Sequence, residues 1–232
     1  MNPIYVAIDT PDLARAMEIA EAVRDHVGGL KLGLEFFSSH GPGGVRRLGE
    51  LGLPIFLDLK LHDIPNTVGK AVEALAPLDP AILTVHAAGG HEMLMAAKNA
   101  AGPSTKVVAV TLLTSLDAGD LADLGIDRQP SEQVARFAWV ARDAGVDGIV
   151  CSGEEVAGAR SAWPDGFFVV PGIRPAGSEM GDQKRVVTPR NALEFGASVL
   201  VVGRPITAEA DPGKAAADIL SELSPSTAET RV

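Results

Sequence analysis

Eight times along the chain a short apolar run is followed by a stretch with helical periodicity, and this alternation limits the fold more than any single residue does. The runs are Ile4–Asp9, Gly29–Gly33, Pro54–Leu61, Ala81–His86, Lys106–Leu113, Asp147–Cys151, Phe167–Pro171 and Ser198–Val202. Helical patterns cover 11–26, 35–51, 65–78, 90–101, 131–144, 153–162, 189–195 and 206–223, while 115–130 is polar and loop-like with room for a short helix. Strands that are apolar almost throughout belong to parallel sheets covered by helices. Eight βα units in one chain predict a closed barrel, an α/β fold of the (β/α)8 TIM barrel type. An open doubly wound sheet is the competitor, but no Gly-x-Gly-x-x-Gly follows the first run, which weakens a dinucleotide-binding reading. No linker interrupts the pattern, so a single domain is expected over 1–223, with a mobile tail over 224–232.

The chain has 232 residues, a net charge of -10 and 46% hydrophobic residues, enough for a large core and too apolar for disorder. The acidic balance argues against a nucleic-acid partner, which needs a basic face. A small anion is still accommodated if local basic groups and backbone amides build its site. The single cysteine, Cys151, excludes a disulfide framework or a cysteine-based zinc site within one chain. The first residues lack a basic start followed by a long apolar run, and no window approaches the ~18 apolar residues of a membrane span. A cytoplasmic protein with no membrane partner is expected.

Residues 58–68 read Asp-Leu-Lys-Leu-His-Asp-Ile-Pro-Asn-Thr-Val and put charge at the end of a strand. Side chains alternate faces along a strand. Leu57, Leu59 and Leu61 therefore share one face, and Phe56, Asp58 and Lys60 the other. The same alternation places Asp9 with Ala7 and Tyr5, and Lys31 opposite a row of leucines. If the leucines pack under the helices, Asp9, Lys31, Asp58 and Lys60 point into the barrel mouth, with Asp63 just beyond. One reading is a self-neutralising ion network. The other is a proton-transfer site, in which a lysine between carboxylates stays protonated and acts as a general acid toward a carbanion. The location of all five charges at strand ends, where barrels carry their chemistry, favours the site. Local sequence leaves Asp63 equally readable as a cap for the helix beginning at Pro65. His86 reads as a hydrogen-bonded core group and His62 as facing a helix or loop, so a histidine-rich metal site has little support.

A second constellation closes the chain. The seventh run leads into Pro171-Gly172-Ile173-Arg174, and the eighth into Gly203-Arg204-Pro205. Barrels commonly bind phosphate after strands seven and eight. Gly203 lets backbone amides approach an anion, and Arg204 can hold it with a planar fork. The glycine-rich loop 172–186, which contains Gln183, is long for a βα connection and suits a lid, although an ordinary loop fits the same sequence.

These residues resemble the orotidine 5'-phosphate decarboxylase family in its bacterial form. The resemblance rests on Asp-x-Lys-x-x-Asp-Ile-Pro-x-Thr-Val at 58–68, Val-His-Ala-Ala-Gly-Gly at 85–90, Val-Thr-Leu-Leu-Thr-Ser at 110–115, Pro-Gly-Ile-Arg at 171–174 and Val-Val-Gly-Arg-Pro-Ile-Thr at 201–207, in that order. It spans Asp9 to about Thr207 and implies conversion of orotidine 5'-monophosphate to UMP and carbon dioxide, the last step of UMP synthesis. By this resemblance Lys60 protonates C6 of the pyrimidine, Asp58 sits beside the departing carboxylate, and Lys31 and Asp9 hold ribose hydroxyls and orient that pair. Thr114 contacts the pyrimidine. Gln183, Gly203 and Arg204 grip the phosphate, with Arg174 at the start of the closing loop. The family is a homodimer, so Asp63 and Thr67 are implied to reach the partner's site. It uses no metal and no organic cofactor.

Two alternatives stand beside this reading. Magnesium-dependent 3-keto-gulonate-6-phosphate decarboxylases and hexulose-phosphate synthases share the Asp-x-Lys-x-x-Asp run, but they carry a metal-binding glutamate on strand two where this chain has Lys31. A non-catalytic nucleotide-binding barrel would keep the phosphate loop and lose the charge cluster.

Overall fold

The computed structural model describes residues 2–175 and 187–223. The tail over 224–232 and most of the proposed lid lie outside the described residues. Eight parallel strands close into a barrel in chain order: β1 (Ile4–Ile8), β2 (Gly29–Leu32), β3 (Ile55–Leu61), β4 (Ile82–His86), β5 (Lys106–Val110), β6 (Gly148–Val150), β7 (Phe167–Val170) and β8 (Val199–Val202). Closure is made by β8 pairing back to β1, with Ile4 opposite Leu200 and Val6 opposite Val202. The connections carry α1 (Leu13–Val23), α2 (Leu34–Gly49), α3 (Pro65–Leu75), α4 (Gly90–Ala100), α5 (Ala118–Asp123), α6 (Pro130–Asp143), α7 (Val156–Ala162), α8 (Pro189–Glu194), α9 (Arg204–Thr207) and α10 (Pro212–Leu223). The (β/α)8 architecture is the one the alternating pattern predicts.

Strand alternation sorts the core into two parts. Ile4, Val6, Ile8, Leu30, Leu32 and Leu57 pack outward beneath the helices, in the larger cluster. Tyr5, Phe56, Ile82, Val108, Val169 and Val199 fill the barrel interior. Tyr5 and Phe56 meet edge to face, with ring centroids 6.4 Å apart and planes at 72°. Gly29 makes that layer possible, since a Cβ there would lie 2.3 Å from the Tyr5 ring and 2.6 Å from the Pro54 carbonyl.

The amino-terminal end of the barrel is tied by Arg160 of α7. Its guanidinium lies 4.4 Å from the Phe168 ring centroid. It donates to the carbonyls of Pro164 (2.7 Å), Gly166 (3.0 Å) and Gly196 (2.7 Å), and to the Ser198 hydroxyl (3.2 Å). One side chain thus satisfies the backbone just before both β7 and β8.

Two helices differ from expectation. A continuous helix over 35–51 is replaced by a broken α2: Gly41 adopts φ 53° and ψ -155°, and Pro42 follows. Glycine tolerates that conformation, and proline has no N–H with which to continue the ladder. A single helix over 206–223 is replaced by α9 and α10, because Pro212 opens a new helix and the Asp211 carboxylate accepts from Lys214 N at 2.9 Å. Within the polar stretch, α5 forms behind a capping box in which Asp117 accepts from Gly119 N and Asp120 accepts from Asp117 N.

Candidate active site

The carboxyl ends of the strands enclose a cavity of about 560 Å³, lined by Asp9, Lys31, Asp58, Lys60, Arg174 and Arg204 among others. Strand geometry delivers these charges. Ala7 and Phe56 lie on the inward face below Asp9 and Asp58, while the intervening leucines and isoleucines pack outward. Two ion pairs result. Lys31 Nζ lies 2.7 Å from Asp9 Oδ1, and Lys60 Nζ lies 2.7 Å from Asp58 Oδ2. The Asp58 and Lys60 side chains are 15% and 29% exposed, so their attraction is less screened than that of a surface pair.

Gly33 shapes the first pair. A Cβ at this position would stand 3.0 Å from both Asp9 Oδ1 and Lys31 Nζ. Thr84, fully buried on the inward face of β4, shapes the second. Its hydroxyl donates to Asp58 Oδ1 at 3.0 Å and accepts from Lys60 N at 2.9 Å. Sequence reasoning missed both residues. Thr84 immediately precedes the Val-His-Ala-Ala-Gly-Gly motif, on the face that alternation assigns to the interior, so a hydroxyl there was the available signal.

The remaining residues distribute as follows. Thr114, on the segment after β5, lines the cavity. Gly203 is the N-cap residue of α9, and Arg204 is that helix's first residue. Arg174 is 9% exposed. Its amide donates to the Val187 carbonyl at 3.0 Å, beside a bridge pairing Ile173 with Val187. That bridge joins the two ends of the long loop after β7. Gln183 lies outside the described residues.

Asp63 and Thr67 do not line the cavity. Both are exposed, near the start of α3. The reading of Asp63 as a helix cap is corrected: the N-cap is Ile64, which makes no side-chain cap, and among the described residues the Asp63 carboxylate accepts only from its neighbour, Ile64 N, at 2.7 Å. His86 is also corrected. In place of a hydrogen-bonded core role, it packs its ring 5.5 Å from that of His62. Burial holds His86 below the usual imidazole value of 6.5; His62 and Lys60 push the same way, against Asp58. Among the described residues, no cluster of three or more histidine, cysteine or acidic side chains is arranged to hold a metal ion.

Fold and site together define a (β/α)8-barrel protein whose mouth carries paired lysines and carboxylates from β1, β2 and β3 and arginines that follow β7 and β8. The family model described as "Orotidine 5'-phosphate decarboxylase / HUMPS family" matches residues 2–219. The orotidine 5'-phosphate decarboxylase of Sphingopyxis alaskensis is 64% identical over 222 residues, covering 96% of this chain and 99% of its own. That of Novosphingobium aromaticivorans is 57% identical with the same coverage. The crystal structure of orotidine 5'-phosphate decarboxylase from Lactobacillus acidophilus superposes with a TM-score of 0.85 at 36% identity, covering 97% of this chain and 100% of that one. The chain belongs to the orotidine 5'-phosphate decarboxylase / HUMPS family.

Proposed function

We infer that this protein decarboxylates orotidine 5'-monophosphate to UMP, the last step of pyrimidine biosynthesis. The observation that carries the reading is the Lys60–Asp58 pair, 2.7 Å apart at the mouth of the barrel, in a chain 64% identical to an orotidine 5'-phosphate decarboxylase. In this reading the C6–carboxylate bond breaks, its electron pair stays on C6, and carbon dioxide departs beside Asp58. The proton from Lys60 Nζ then forms the new C6–H bond, and solvent reprotonates the lysine. No electron sink delocalises the carbanion, so a preorganised cation at the developing charge supplies the stabilisation. Barriers fall by roughly 8–23 kcal/mol in enzymes, and this reaction needs the upper part of that range.

Lys31 and Asp9 hold the ribose hydroxyls and orient the reacting pair, and Thr114 contacts the pyrimidine. Gly203, Arg204, Arg174 and Gln183 take the phosphate. Binding at that remote end supports closure of the loop and so the chemical step. Asp63 and Thr67 serve the site of a second subunit in a homodimer, a role supported by their exposure and their position outside their own cavity.

The alternative reading is a magnesium-dependent decarboxylase or synthase that stabilises an enediolate on the metal. Lys31, on β2 and paired with the Asp9 that follows β1, puts a cation in the barrel mouth, which disfavours a magnesium ion there. The reading is therefore of a metal-free reaction. The test follows orotidine 5'-monophosphate absorbance in the presence of excess EDTA. Turnover to UMP that is unchanged by the chelator is the expected result. No turnover, or turnover restored only by added magnesium, overturns the reading.

A further inference from the structure

The pairing of β3 with β4 is irregular at the site. Leu57 pairs with Leu83 and Leu61 pairs with Val85, so β3 spends four residues where β4 spends two. Lys60, within this bulge, has φ 51°, one of two non-glycine residues with positive φ among the described residues. Such a conformation is strained for a residue with a side chain and persists only where its surroundings impose it. Bulges re-aim side chains beside active sites, and they leave backbone groups without ladder partners. Here the displaced amide is that of Lys60, and its partner is the Thr84 hydroxyl on the neighbouring strand.

We propose that Thr84 is the positioning residue of the proton-donating pair, acting by closing a hydrogen-bonded ring that begins and ends on Lys60. The ring runs from Lys60 N to Thr84 Oγ1 (2.9 Å), from Thr84 Oγ1 to Asp58 Oδ1 (3.0 Å), and from Asp58 Oδ2 back to Lys60 Nζ (2.7 Å). The ring has only one arrangement of protons. A backbone amide can only donate, so Thr84 must accept from it, and the hydroxyl's single proton is then committed to Asp58. The carboxylate has one oxygen fixed by the wall of β4 and turns the other toward the ammonium. Thr84 touches no substrate in this account. It holds Asp58 in one rotation and holds the Lys60 backbone in its left-handed turn, and these two together set the direction of Nζ. Thr84 is fully buried, so its hydroxyl is held away from bulk water.

The proposal rests on the decarboxylase reading above, and its test separates the two. Thr84→Val keeps the shape and removes both hydrogen bonds. Misplacement of a reacting group by about 1 Å can cost about a hundredfold. Thr84→Val is therefore expected to lower kcat for orotidine 5'-monophosphate by about ten- to a hundredfold. KM and UMP affinity should stay within about threefold, because Gly203 and Arg204, proposed to take the phosphate, follow β8, whereas Thr84 is on β4. Thr84→Ser keeps the hydroxyl and should restore kcat to within about threefold of wild type. A wild type without turnover overturns the decarboxylase reading itself. A wild type that turns over while folded Thr84→Val keeps its kcat overturns the role of Thr84 alone. If Thr84→Val does not fold, Thr84→Ser decides: full kcat supports the ring, and a folded serine variant as slow as the valine prediction overturns it.

Discussion

Asp58 has both oxygens engaged, one by Lys60 and one by Thr84, whereas Asp63, among the described residues, accepts only from the next residue's amide. That difference separates a carboxylate already positioned by its own chain from one left facing outward. His86 sits on the edge of the same group, near His62, Lys60 and Asp58, with its pKa lowered chiefly by burial. A lowered histidine pKa means that the unfolded chain binds more protons than the folded one just below pH 6.5. Stability should therefore fall as the pH drops through that value, and level off once the folded imidazole is itself protonated. Urea denaturation between pH 5 and 8 is expected to show a flatter slope for His86→Gln than for wild type, and equal slopes would contradict this assignment. At the residue scale, Asp9, Lys31, Asp58 and Lys60 were legible because alternation along a strand is a strict rule. Thr84 and Gly33 were not: alternation puts the Thr84 hydroxyl on the interior face, but its contacts with Asp58 and the Lys60 amide depend on a slipped register, and the role of Gly33 on the path of a neighbouring side chain.

The elements divide their duties between the two ends of the barrel. The carboxyl ends carry the charge pairs and the start of α9, and the amino ends carry structural ties such as Arg160. Hydrogen bonds to charged groups contribute about 1.5–3 kcal/mol each, and a buried carbonyl left without its donor adds to the loss. Arg160→Ala is expected to destabilise the protein by about 3 kcal/mol, read from the urea midpoint, while kcat/KM of the remaining folded protein stays near wild type. A large fall in kcat/KM with unchanged stability would show that Arg160 serves the site instead. Element boundaries were less legible than element order. The pattern over 35–51 kept its helical period across Gly41-Pro42, and the pattern over 206–223 kept it across Asp211-Pro212. In both places apolar periodicity outlasts the backbone hydrogen bonds, and proline and its neighbour decide where the helix stops.

At the scale of the molecule, the barrel was the most legible feature, since eight repeats of one unit leave few topologies. What a single chain does not contain is a carboxylate from Asp63 directed into its own cavity. If a second subunit supplies it, as proposed, Lys60→Ala and Asp63→Asn subunits should complement each other when mixed and reassembled. Each hybrid dimer then holds one site with a native Lys60 and a native Asp63 from its partner. With random exchange, about a quarter of all sites are native, giving about a quarter of wild-type activity from two nearly inactive proteins. Activity no greater than the average of the two parents would contradict a shared site. The central claim, that Lys60 delivers the proton as carbon dioxide leaves, is tested most directly by the turnover of orotidine 5'-monophosphate by folded Lys60→Ala in EDTA, beside wild type. A loss of kcat of at least about a thousandfold is predicted, within the range of general-acid contributions. A kcat within tenfold of wild type would contradict it.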